Sequence, residues 1–122
     1  MKRVAVLTTK GELKFTDIEK KAELEELRKL VAGNIEMVPY TRDEEETLIV
    51  YANEEGEIKD LPGNYVGANV VIRLGFYAGG FCTLYGDLVV CNASGKSLTK
   101  KQQDLIQKQY NEAKKEYAED DE

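Results

Sequence analysis

The chain has no histidine and no tryptophan, only two cysteines and two prolines, and four arginines. Each shortage narrows what the protein can do. Without histidine there is no imidazole base, no imidazole metal ligand, and no Ser–His or Cys–His nucleophile pair. Catalysis would have to rest on carboxylates or lysine. The acidic pairs, however, sit in charged runs such as "ELEEL" and "DEEE". None stands alone in an apolar setting that would raise its pKa and mark a general acid. The residues therefore argue for a protein that is not an enzyme and uses neither metal nor cofactor.

Long apolar runs are also missing, so no segment is built to span a membrane. The opening "MKRVAVLTTK" is too short in apolar residues for a signal h-region. Cys82 and Cys91 then read as reduced, buried thiols of a cytosolic protein. Positive charge is in deficit: 17 Lys and Arg stand against 23 Asp and Glu, a net charge of −6. Such a surface repels a phosphodiester backbone at long range, which disfavours binding to a nucleic-acid polymer. A local cationic pocket for a small anion remains compatible with it.

With 122 residues the chain suits one small domain. We read residues 1–118 as a single α+β ligand-binding domain and residues 119–122, "EDDE", as an acidic tail. "VAVLT" and "ELKFTDI" flank a turn and predict an N-terminal hairpin. Thr16 or Asp17 is placed to cap a following helix, with Leu24, Leu27, Leu30 and Val31 as its apolar stripe and Gly33 at its C-terminal cap. "NIEMVPY" predicts a strand, with Pro39 suggesting the sheet edge. "LIVYA" (48–52) is the clearest buried strand. Val66, Val70 and Leu74 recur every fourth residue, which predicts a short helix capped by Asn64. "GDLVVCN" is the last strand. In the final helix, Thr99 and Gln102 form a capping box, and Ile106, Tyr110, Ala113 and Tyr117 share one face. The order β-β-α-β-β-α-β-α predicts an α+β fold: a small, mostly antiparallel sheet, an internal helix and a long C-terminal helix.

The stretch "LGFYAGGFCTLYGDLVVCN" concentrates the candidate chemistry. Phe76, Tyr77, Phe81 and Tyr85 bring four of the ten aromatic residues into ten positions. Aromatic faces stack on bases, and they equally fill cores. Gly79 and Gly80 allow close backbone approach to a ligand, or simply form a connector. They carry no phosphate-loop spacing. Asn92 ends an apolar strand, where its amide suits either a base edge or a local turn with "ASG". Arg73 lies in an apolar segment and needs a carboxylate or phosphate partner if buried; Arg28 flanks the stripe of the first helix. Tyr110 and Tyr117 are amphipathic residues of the kind enriched at interfaces.

"LPGNYVGANVVIRLGFYAGGF" followed by "GDLVVCNASGKSLTKKQ" resembles a family of small phage proteins that antagonise the bacterial Thoeris defence system. The resemblance spans nearly the whole chain, including the L-P-x-N turn, the G-D-L-V-V strand and the capped C-terminal helix. Its turn and strand elements are shared with a broader family of uncharacterised phage domains. The resemblance implies a sponge: a protein that binds glycocyclic ADP-ribose, the signal made by TIR-domain proteins, without cleaving it. It further implies a homodimer or trimer of dimers with pockets at the dimer interface, in the cytoplasm of an infected bacterium. Related sponges also hold cyclic oligonucleotide signals at a second kind of site. By resemblance and residue type together, the ligand-binding residues are Arg28, Phe81 and Asn92, with Arg73, Phe76, Gly79, Gly80 and Gln109 in supporting roles. A competing expectation follows from the net charge and the acidic runs: an acidic protein-interaction module that inhibits a host nucleic-acid-binding enzyme.

Overall fold

A computed structural model of the chain describes residues 1–39, 47–76 and 84–120, with side chains through residue 116. It is a small α+β fold built on one five-stranded antiparallel sheet. Strands β1 (Lys2–Leu7) and β2 (Leu13–Ile18) form the expected hairpin. The loop between them closes through Gly11 N–H donating to the Thr8 carbonyl at 3.0 Å. Gly11 has φ +79°, the left-handed conformation that such a hairpin loop demands. Strands β3 (Ile35–Met37), β4 (Leu48–Asn53) and β5 (Leu88–Asn92) complete the sheet in the order β2-β1-β5-β4-β3. The short β3, followed by Pro39, lies at the edge as the sequence predicts.

The central strands explain their own composition. β1 and β5 have neighbours on both sides and are covered on both faces, so they read as apolar runs rather than alternations. On one face, Val4, Val6, Val89 and Cys91 pack with Leu27 and Val31 of helix α1 (Glu23–Val31). On the other, Ala5, Leu7, Leu88 and Val90 pack with Val70 and Val71 of α2 (Tyr65–Arg73) and with Ile106 and Ala113 of α3 (Lys100–Asp120). The fold therefore has three layers: α1, the sheet, and the α2/α3 pair.

Helix α1 begins later than its sequence suggests. Thr16 and Asp17 are not caps; they pair with Val4 and Arg3 inside β2. A single 3₁₀ turn, Lys20–Ala22, leads into α1, and Ala22 at the N-cap makes no side-chain cap bond. Leu24 stands 49% exposed, so the stripe is narrower than expected. At the other end Ala32, not Gly33, takes the left-handed conformation, with φ 63°. Gly33 N–H donates back to the Arg28 carbonyl at 2.9 Å and Ala32 N–H to Lys29 at 3.3 Å, the Schellman pattern. Glycine is needed one residue later for a different reason. A Cβ on Gly33 would lie 2.7 Å from the Asn53 side-chain nitrogen. That amide is buried, and it donates to the Val31 carbonyl at 3.0 Å, tying the end of α1 to β4.

Asn64 caps α2 as predicted, accepting from Gly67 N–H at 2.9 Å. The capping box of α3 also forms: Gln102 N–H donates to Thr99 Oγ1 at 3.1 Å, and Thr99 N–H to Gln102 Oε1 at 2.9 Å. α3 continues to Asp120, into the stretch read as a tail, and residues 121–122 lie outside the described set. Tyr110 packs on its own chain and donates its hydroxyl to the Gly11 carbonyl at 2.7 Å. The side chain of Tyr117 lies outside the described residues. Among the described residues, no helix is long and apolar enough to cross a membrane.

Candidate functional site

Asn92 marks where the sheet meets the start of α3. Its Nδ2 donates to the Ser97 carbonyl and its Oδ1 accepts from Ser94 N–H, both at 3.0 Å. Of the two roles open to it, the local turn is formed. The amide still keeps one proton and one lone pair without a partner among the described residues. It is half-buried and lines a concavity of about 530 Å³ together with Thr47, Ser94, Lys96, Thr99 and Gln102.

Long-range contacts hold this concavity. β4 pairs with β5 so that Leu48 faces Asn92, which brings Thr47 alongside. The Thr47 carbonyl accepts from Ala93 N–H and from Gln102 Nε2, each at 2.9 Å. Gln102 thus works in two directions, its oxygen in the capping box and its amide on the strand. From the first strand, the Arg3 carbonyl accepts from Leu98 N–H at 3.0 Å, and Arg3 N–H donates to Ser97 Oγ at 2.8 Å. The wall so formed carries hydroxyls, amides and one lysine, and its lining includes no carboxylate.

The other candidates do not converge on Asn92 within one chain. Arg28 is exposed on α1 and makes no ion pair among the described residues. It borders a separate concavity of about 260 Å³ with Lys21, Glu23, Leu24 and Glu25. α1 packs on the opposite face of the sheet from α2 and α3, and the concavity at Arg28 shares no lining residue with the one at Asn92. Arg73 is engaged inside the chain: its Nε donates to Asn69 Oδ1 at 3.0 Å, and its Nη2 pairs with Glu116. Phe76 is only 4% exposed and belongs to the core, so its ring offers no open face for stacking. Gln109 is half-buried on α3. Gly79, Gly80 and Phe81 lie outside the described residues, as do Tyr77 and Cys82.

Sequence reasoning missed Thr47, Lys96, Thr99 and Gln102 as wall residues. The last two were visible only as the start of a helix, and Thr47 had no local signal at all. It did not name Asn69 or Glu116 as the partners of Arg73, although an arginine in an apolar segment called for a carboxylate.

Cys91 is a free, buried thiol. Burial pushes its pKa up to about 12, against a smaller downward pull from the Lys2 ammonium. It stays protonated near neutral pH and is no nucleophile there. Lys2 is itself buried and paired with Glu23 in the first turn of α1. The described residues contain no cluster of cysteines and carboxylates that would hold a metal ion.

Residues 1–111 match the model of a family described as a domain of unknown function, DUF3846. The match covers most of the chain, which belongs to that family. No curated protein and no solved structure matches it.

Proposed function

We propose that this DUF3846 member binds and sequesters a cyclic ADP-ribose-type nucleotide, in the manner of a glycocyclic ADP-ribose sponge that blocks Thoeris defence. The observation that carries the reading is the concavity of about 530 Å³ at Asn92. Its size falls in the range of small-ligand pockets, about 300–1,000 Å³. Lys96 supplies a cation for a diphosphate, and Ser94, Thr99 and the spare valences of Asn92 supply hydrogen bonds for ribose or base.

Turnover is not part of the proposal, because the sequence holds no histidine and the wall carries no carboxylate to act as a base. Arg28 enters from a second copy. Its helix packs on the opposite face of the sheet from α2 and α3, which favours a pocket shared between two chains. Phe81 supplies the stacking ring in this reading. Calorimetric titration of cyclic ADP-ribose isomers into the native protein tests it, with analytical ultracentrifugation of the same sample. Binding by an assembly larger than a monomer supports the proposal; no heat with any isomer overturns it.

A second reading has one observation in its favour. Glu36, Glu54 and Glu57 rim a concavity of about 180 Å³ whose other walls include Leu84 and Tyr85. An acidic rim around apolar residues suits a basic segment of a partner protein, which is how an inhibitor of a nucleic-acid-binding enzyme would engage it.

A further inference from the structure

Asn69 and Arg73 lie one turn apart on α2 and point to the same carboxylate. Asn69 Nδ2 donates to Glu116 Oε2 at 2.8 Å, while Arg73 Nη2 pairs with Oε1 of the same group. Arg73 Nε is steadied by Asn69 Oδ1 at 3.0 Å. Two donors on a rigid helix thus grip two oxygens of one anion, and the donor pair is itself braced. Such forked recognition serves phosphoryl oxygens as well as carboxylates. Of the five guanidinium N–H donors, three have no partner among the described residues.

We propose that Asn69 and Arg73 form a receptor for a phosphoryl oxyanion, occupied in the free protein by Glu116 as a built-in competitor. Exposure makes Glu116 displaceable. Its side chain is 52% exposed, whereas that of Arg73 is 27% exposed, so the anion is the more open partner. Exposed ion pairs are weak in water. The site is distinct from the concavity at Asn92. Gln102 and Glu116 are 14 positions apart on α3, about 20 Å at the rise of an α-helix.

Titration of inorganic pyrophosphate, followed by calorimetry, tests the proposal in the native full-length chain, in Glu116→Gln and in the double variant Glu116→Gln/Arg73→Ala. Glu116→Gln is expected to bind pyrophosphate at least about tenfold tighter than the native chain, with the gain lost in the double variant. Equal affinity of Glu116→Gln and native protein overturns the proposal, as does a gain that survives loss of Arg73. A second measurement does not depend on any variant folding. Millimolar pyrophosphate added to native protein is expected to shift the NMR signals of the Asn69 side-chain amide and Arg73 Nε. Unmoved signals there contradict it. Any pyrophosphate held by Lys96 at the Asn92 concavity is common to all three proteins, so the differences among them report on Asn69 and Arg73 alone.

Discussion

The side-chain amide of Asn64 donates to the carbonyl of Leu7 at 2.8 Å, joining residues 57 positions apart. The same nitrogen donates to the Gly86 carbonyl at 2.9 Å, and its oxygen caps α2. One side chain, only 1% exposed, therefore fixes the end of β1, the approach to β5 and the start of α2. Replacing it with alanine removes a cap and strands two buried acceptors. We expect Asn64→Ala to cost about 3 kcal/mol. Urea denaturation reads this as a lowered midpoint at an unchanged slope. A loss below about 1 kcal/mol would show that the contact is replaceable by solvent.

Ala32 holds a left-handed conformation that glycine adopts without cost, and its side chain is exposed. Ala32→Gly is expected to stabilise the protein by about 1 kcal/mol. The neighbouring Gly33→Ala should do the reverse, because its Cβ would press on the Asn53 amide. Thermal unfolding of the two variants checks the opposite signs.

Much of this frame was legible from residue types. β1, β4 and β5 were readable as short runs rich in β-branched residues, and β4 and β5 as apolar strands, because strands inside a sheet bury most of their side chains. Asn64 and the Thr99–Gln102 box were visible because caps act over three residues. The start of α1 was not, since Thr16 and Asp17 have the chemistry of caps yet gain more as partners of Val4 and Arg3 in β2. The site was legible only in part. Asn92 stood out at a strand end, but Thr47 and Gln102 reach it through strand pairing and helix docking, which leave no local pattern. The partner of Arg73 lies 43 positions away.

Cys91 gives a pH-dependent prediction. Its folded pKa lies at about 12, above the ordinary thiol value of 9.0. Its contribution to stability is fully present below pH 9 and is lost as pH rises toward 12. Peptide mapping after iodoacetamide treatment at neutral pH should find Cys91 unmodified in native protein and modified in urea. Labelling in the native state would contradict its burial.

Asn92→Ala removes two hydrogen bonds from the turn at 92–97, an expected loss of about 1 kcal/mol that leaves the protein folded. Binding of a cyclic ADP-ribose isomer should weaken at least about tenfold, as one good hydrogen-bonded contact implies. Arg28→Ala and Phe81→Ala should weaken it too. If all three variants bind as the native chain does, the ligand sits elsewhere.

The claim that this protein holds a nucleotide signal without consuming it is tested most directly by release. Purified protein is incubated with cyclic ADP-ribose isomers, freed of unbound ligand and heat-denatured, and the supernatant is analysed by mass spectrometry. The account predicts that one isomer returns intact and in stoichiometric amount. Retention of none at concentrations well above micromolar, or return of an altered product, would contradict it.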